Sequence, residues 1–404
     1  MKFVAVISEF NPLHKGHAHL LKQAKVLSGA DAVLCIMSGN FVQRSAMAVV
    51  DMRTRAHMAL VSGADAVIEL PAVFATGCGE HFAQGALNIL NAIPSVTHLV
   101  FGSECGDLTY LKAIASVQAN ESQEFKTLLK AFLAEGVSYA TAYAKATQAT
   151  LNLEAPHLPN DLLGIEYIKQ LIKSNSPIQP LTIKRIGAAY HDDSDHGSAS
   201  SASAIRALLS EGNRSSVKQA MPQGAYNALN AALGNKTQAK AKLHTAQQAF
   251  DLLTITALRQ KDILQYADAT SELSASIKKA AMRFCSMTDI LSQVKSKCYT
   301  LSRIRRVCLQ TLLNITHYPS LENLIVPTKL IGVSKALKSH ILPRLPKHIW
   351  VRNNDLTAYL DSLSDGSKEV AQYIAHISNT AQSLYYLIHN QNGNPYLEDR
   401  LLEV

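Results

Sequence analysis

The stretch ISEFNPLHKGHAHLL, Ile7 to Leu21, follows directly on the apolar run FVAVI at residues 3–7. A short run that is apolar at every position suits a strand buried on both faces. From His17 to about Leu27 the apolar residues Ala18, Leu20, Leu21, Ala24 and Leu27 recur at helical spacing. A polar segment with three histidines and a glycine therefore sits where a strand turns into a helix. It is either a surface turn or a nucleotide site built at the strand end.

The pattern downstream bears on that choice. ADAVLCIMSG (30–39), ADAVIELP (64–71) and VTHLVFGSE (96–104) read as further strands. DMRTRAHMALVSG (51–63) and EHFAQGALNILNAI (80–93) read as the helices between them. Strands alternating with helices of this length predict an α/β fold with a Rossmann-like parallel sheet, whose ligand side is the polar, glycine-bearing edge after the strands. Residues 109–150 read as helical, DLLGIEYIKQLI (161–172) as one more helix, and LTIKRIGAAY (181–190) as the last strand. A small-polar loop, HDDSDHGSASSASAIRALLSEG (191–212), then leads into a helix. The sheet pattern stops there, so a boundary is expected near residue 215, with 216–404 mostly helical. Within it, 321–350 reads as a small substructure and linker, and EVAQYIAHISNTAQSLYYLIHN (369–390) as a closing helix.

Composition narrows the function classes. The 404 residues are 47% hydrophobic and 17% charged, which excludes a disordered chain. A formal charge of +8 favours a polyanionic partner. Cys35, Cys78, Cys105, Cys285, Cys298 and Cys308 form no CxxC pair and read as reduced, buried thiols of a cytoplasmic protein, with no zinc site. MKFVAVISEF reads as a first strand rather than a signal peptide. No apolar run is long enough to span a bilayer, so no membrane partner is expected. No feature sets an oligomeric state.

At the strand-to-helix junction, Gly16 lets backbone approach a phosphate closely because it has no Cβ. The helix start supplies unpaired N–H groups and partial positive charge. His14 and His17, three residues apart, are placed to face one ligand and to donate to phosphoryl oxygens as charge develops. His19 reads as a surface or supporting residue.

NPLHKGH resembles the His-x-Gly-His signature of the nucleotidylyltransferase superfamily, whose members act on the α-phosphate of ATP and release pyrophosphate. More narrowly, VISEFNPLHKGHAHLL resembles the opening of the bacterial tRNA(Met) cytidine acetate ligases, with Phe10 and Glu9 at characteristic positions. The resemblance continues through residues 37–71, FGSE (101–104), PNDLLGIEYIK (159–169), IKRIGAAYHD (183–192) and SASAIR (201–206), with a weaker echo in YTLSRIRR (299–306). It implies a nucleotidyltransferase-like catalytic domain at 1–215 and a tRNA-binding region at 216–404. It also implies activation of acetate by ATP to acetyl-adenylate, and acetyl transfer to N4 of the wobble cytidine of elongator tRNA(Met).

Site residues follow from both readings. His14, His17 and Arg185 are the expected catalytic groups, Arg185 as a strand-end guanidinium suited to phosphate. Ile7, Glu9, Phe10, Asn11, Pro12, Gly16, Leu20, Gly102, Asn160, Ser201 and Ser203 are expected around the nucleotide. Asn160 also reads as a helix N-cap, and Ser201 and Ser203 as N-cap candidates before a helix carrying Arg206. In SGNFVQR, Asn40 and Gln43 either read a base or hold a loop, and Arg44 either meets a substrate anion or makes a local salt bridge. Asp51 and Arg55 read as an intrahelical pair, with Asp51 alternatively orienting a site group, and Glu104 reads as a lone acid that positions a group or meets Mg²⁺. The basic helical stretch with Lys278, Lys279, Tyr299, Arg303 and Arg306 reads as a phosphate-backbone footprint or as a solvated surface. No acidic cluster builds a metal cage, so Mg²⁺ is expected to arrive with ATP. Two other functions remain open at this level: a small-substrate nucleotidylyltransferase of cofactor synthesis, and a non-catalytic RNA-binding protein.

Overall fold

The first strand, β1 (Phe3–Ser8), lies inside the sheet with Val4, Ala5 and Val6 removed from solvent, as its uninterrupted apolar pattern requires. The computed structural model describes residues 1–154, 156–185, 201–322, 324–389 and 401–404. The expected loop at 191–200 and the end of the expected strand at 186–190 lie outside them. The other strands are β2 (Ala32–Ser38), β3 (Phe41–Val42), β4 (Ala46–Met47), β5 (Ala66–Leu70), β6 (Val96–Ser103), β7 (Gln179–Lys184), β8 (Thr328–Val333), β9 (Ile349–Trp350) and β10 (Leu402–Glu403).

Helices α1 (Lys15–Ser28), α2 (Met52–Leu60), α3 (Ala72–Ala75), α4 (Gly79–Asn91), α5 (Leu108–Ala119), α6 (Gln123–Ala134), α7 (Tyr139–Leu151) and α8 (Pro159–Lys173) connect the strands up to β7. Then come α9 (Ala202–Glu211), α10 (Arg214–Ala220), α11 (Gln223–Leu233), α12 (Lys236–Gln260), α13 (Ser271–Arg283), α14 (Met287–Val294) and α15 (Leu301–Leu313). The last are α16 (Lys338–Ile341), α17 (Asn353–Asp361) and α18 (Asp365–Ile388).

The sheet runs β10-β8-β5-β2-β1-β6-β7, with β9 beside β8 and a separate β3–β4 hairpin. The five strands from β5 to β7 are mutually parallel. This is the α/β parallel-sheet core expected, followed by a mostly helical region. One correction concerns 321–350. That segment supplies β8, which pairs antiparallel with β5, and β10 pairs with β8. TKLIGV is buried at every position, the same signal as FVAVI, and Lys329 satisfies it by laying its stem against Trp350 with its ammonium 4.7 Å from the ring centroid. The sequence boundary near 215 therefore does not divide the sheet from the rest of the chain.

Two cores result. The larger holds the sheet with helices on both faces and includes α18. The smaller joins the second half of α12 to α13, α14 and α15. All six cysteines are free, but only Cys35 and Cys308 are fully buried, while Cys285 and Cys298 are exposed. Among the described residues no helix is long and apolar enough to cross a membrane.

Candidate active site

The strand order reverses around β1: its chain crosses to β2 on one side, while β6 continues to β7 on the other. The loops leaving the carboxyl ends of β1 and β6 diverge there and leave a crevice, the position where open α/β sheets bind ligands. The β1 loop is tightly determined. Phe10 sits at φ 48° with its ring fully buried and edge-on to His17 at 5.2 Å, and the Asn11–Pro12 peptide is cis. Leu13 is fully buried, Ile7 nearly so, and Leu20 packs partly buried against the same core. His19 is exposed.

His14 is the N-cap of α1. Its Nδ1 accepts from the Gly16 N–H at 3.1 Å, and the His17 Nδ1 accepts in return from the His14 N–H at 3.2 Å. The rings stack 3.7 Å apart. Because Nδ1 is an acceptor in both rings, the proton of each neutral imidazole is on Nε2, and both rings offer an Nε2–H donor. Burial, and then the Arg185 guanidinium, pushes His14 down to about 4. His17 is held well below the usual imidazole range by burial, by His14 and by Arg185. Gly16 is required here, since a Cβ would stand 2.9 Å from His14 Cε1.

Arg185 follows β7, its N–H donating to Ser103 O at 2.9 Å. Its side chain crosses Gly102, where a Cβ would lie 3.3 Å from Arg185 Cγ, so the glycine makes room for the arginine. Lys184 turns the other way, against Gly106. Arg185 Nε is buried without a hydrogen-bond partner among the described residues. An arginine donor left unpaired beside two neutral imidazole donors fits a phosphate group.

Glu104 ties the β6 loop to α8. Its carboxylate accepts from the N–H groups of Asn160 and Asp161 at 3.1 and 2.9 Å and from Asn160 Nδ2 at 2.5 Å. Asp161 reciprocates by accepting from the N–H groups of Glu104 and Cys105. The N-cap of α8 is Leu158, with Pro159 at the first turn, so Asn160 lies one position inside the helix rather than capping it. Proline takes the first helical position because its missing N–H has no partner there in any case.

The β3–β4 hairpin closes another side. Glu9 accepts from the Gln43 N–H at 2.8 Å. Burial raises its carboxyl, against the lowering pull of that bond and of Arg55, Arg206 and Arg44. Asn11 accepts from the Val49 N–H, and Asn40 from the Met52 N–H at 2.6 Å, so both asparagines hold loops. Arg44 is exposed near Glu9 and Arg206. Ser201 caps α9 by accepting from the Ala204 N–H, Ser203 bonds to Ser201, and Arg206 reaches back to Asn11 O at 2.7 Å. Arg206 thus ties α9 to the turn that carries Asn11.

Arg55 corrects the sequence reading. It forms no salt bridge with Asp51, which caps α2 by accepting from Thr54. Arg55 is fully buried and donates to Glu9 O at 2.6 Å, Ser38 O at 3.0 Å, Gly39 O and Val50 O. One side chain thereby fixes the ends of β1 and β2 to the hairpin.

The basic stretch at 278–306 lies on the smaller core. Lys278 donates to Arg259 O and Lys261 O. Arg306 pairs with Asp268 at 2.5 Å in a network with Gln310 and Tyr318. Burial opposes ionisation of Asp268, but Arg306 and those two donors hold its carboxyl below the usual range. Arg303 covers the Tyr299 ring and bonds to Asp268 O, and Tyr299 OH donates to Glu272. Lys279 is exposed.

Residues 1–395 match the family model described as HIGH Nucleotidyl Transferase. The tRNA(Met) cytidine acetate ligase of Caldicellulosiruptor saccharolyticus is 39% identical over 78% of this chain and 77% of its own length. The chain belongs to the tRNA(Met) cytidine acetate ligase family. The enzyme of that name from Clostridium novyi is 37% identical over 79% of this chain and 80% of its own. Among solved structures, Thermotoga maritima TmcAL superposes over both full chains with a TM-score of 0.86 and 27% identity in a form bound with alpha-thio ATP. Its apo form gives 0.87 and 28%.

Proposed function

We propose that this chain is an ATP-dependent acetate ligase that acetylates N4 of the wobble cytidine of elongator tRNA(Met). The supporting observation is the histidine turn: two neutral, stacked imidazoles whose Nε2–H groups have no partner among the described residues, beside an Arg185 Nε that is likewise unpaired among them, in a member of this family. An acetate oxygen attacks the α-phosphorus of ATP, the bond to the β-phosphate oxygen breaks, and pyrophosphate leaves with that electron pair. His14, His17 and Arg185 stabilise the charge that develops. The cytidine N4 then attacks the acetyl carbonyl, AMP departs, and the N4 proton goes to solvent or to a site base. Glu9, Phe10, Asn11, Pro12, Gly16, Gly102, Asn160 and Ser201 shape the nucleotide crevice. Mg²⁺ enters with the triphosphate, since no cluster of acids, histidines or cysteines forms a cage among the described residues.

Incubation with labelled acetate, ATP and total tRNA tests this reading. Label is expected in N4-acetylcytidine of tRNA(Met), with equimolar AMP and pyrophosphate, while labelled acetyl-CoA transfers nothing. Nucleotide turnover indifferent to acetate would favour a small-substrate nucleotidylyltransferase instead.

A further inference from the structure

Residues 212–250 contain Arg214, Lys218, Lys236, Lys240 and Lys242 and no aspartate or glutamate. The fold brings this acid-free segment to the crevice. Helix α9 starts there, with Arg206 on Asn11 O, and ends at Gly212, where a Cβ would stand 2.4 Å from Lys236 Cε. Helix α12 departs from that point and runs to Phe250, whose ring lies 6.0 Å from that of Phe41 in the hairpin that carries Arg44. The first half of α12 thus spans the outer edge between the end of α9 and the hairpin.

Its basic side chains divide by flank. Lys242 is tied to Ala232 O, and Arg214 to Gly234 O. Ala239 and Ala246 are buried, with Leu243 packed beside them. Lys236, Lys240 and His244 recur every four residues, share one flank and are exposed, and none forms an ion pair among the described residues. Successive members are about 6 Å apart along the axis, the scale of phosphate spacing in a single strand. In the 272–306 stretch, by contrast, Lys278 and Arg306 are engaged internally, and Glu272 and Asp289 offset the charge.

We propose that Lys236, Lys240 and His244 of α12, with Arg44 at the hairpin, form the track that carries the phosphate backbone of the tRNA anticodon arm into the crevice. This rests on the tRNA reading above. A wobble base can reach the strand ends only if its flanking phosphates lie against the adjacent surface. Backbone contacts of this kind position an RNA without reading its sequence.

The test uses the full chain with Lys236→Glu/Lys240→Glu, and Lys240→Gln/His244→Gln as a milder second pair. Three quantities are read: tRNA(Met) affinity across a salt series, acetate-dependent ATP–pyrophosphate exchange without tRNA, and acetyl transfer. The charge-reversed pair is expected to weaken tRNA binding at least tenfold and to flatten the salt slope by roughly 1.5–2. Exchange stays within twofold of wild type, which also reports an intact fold. The neutral pair weakens binding several-fold, and a matched control on α6, Lys126→Glu/Lys130→Glu, changes it less than twofold. Wild-type binding and slope in both α12 pairs would overturn the proposal, as would loss of binding confined to Lys279→Glu/Arg305→Glu. Absence of acetate-dependent exchange in the wild-type protein would instead overturn the reading on which it rests.

Discussion

Two polar regions stand out in this chain, and they use their side chains in opposite ways. At residues 9–17 the imidazoles take backbone N–H groups on Nδ1 and leave Nε2–H unspent, beside an arginine Nε with no partner among the described residues. At 268–318 the polar side chains around Asp268 close on one another: Arg306 on Asp268, and Asp268 on Gln310 and Tyr318, while Lys278 closes on two carbonyls. Buried polar groups are ordinarily satisfied, so the second region reads as architecture and the first as a place prepared for a ligand.

The sharpest way to break this comparison is to remove a prepared donor. His17→Ala is expected to slow acetate-dependent pyrophosphate exchange by about 10²–10³-fold, while thermal unfolding shows a still cooperative protein. Near-normal exchange would place the first region with the second.

Arg55→Met tests whether the prepared region needs its hidden clamp. Leaving Glu9, Ser38 and Gly39 carbonyls without their shared donor is expected to lower stability by about 3 kcal/mol or more. A loss under about 0.5 kcal/mol in denaturant titration would return Arg55 to the status of a surface pair.

Acid should act through the same turn. The folded pKa of His14, about 4, lies below its ordinary value of 6.5, so the unfolded chain takes up the proton first as pH falls. The stability that His14 contributes is therefore complete above pH 6.5 and is lost between there and about 4, amounting to about 2 kcal/mol by pH 5. Proton-nitrogen spectra should show the His14 ring as the Nε2–H tautomer at neutral pH and as imidazolium only as pH approaches about 4, and a midpoint near 6.5 would contradict the account.

The smallest effect belongs to the closed region. Arg306→Met is expected to cost about 1 kcal/mol, since the pair is partly shielded rather than deeply buried, with exchange unchanged. A large fall in exchange would mean that the smaller core feeds the crevice.

What the sequence showed depends on how far each role reaches along the chain. NPLHKGH is legible because strand, turn, cap and ligand donors are contiguous, and each demands a residue type. Asn160 lies two positions past the cap, because Pro159 takes the first helical position and leaves the cap to Leu158. Arg55 was read as a local pair, because nothing local says that carbonyls 46, 17 and 16 residues away converge on it. Strand β8 hid in a proline-punctuated segment, its partner β5 lying far upstream. The lysines of 278–306 looked available because a sequence shows charge but not the carbonyl or carboxylate that a long side chain will find. The acid-free run at 212–250 was equally visible, yet only the fold sets it beside the site.

The most direct test is the structure of this protein with a non-hydrolysable ATP analogue. The account predicts phosphate oxygens within hydrogen-bond distance of Nε2 of both His14 and His17 and of the Arg185 guanidinium, with the Gly16 and His14 N–H bonds to the rings retained. Phosphates bound elsewhere, with either ring flipped so that Nδ1 faces the ligand, would contradict it.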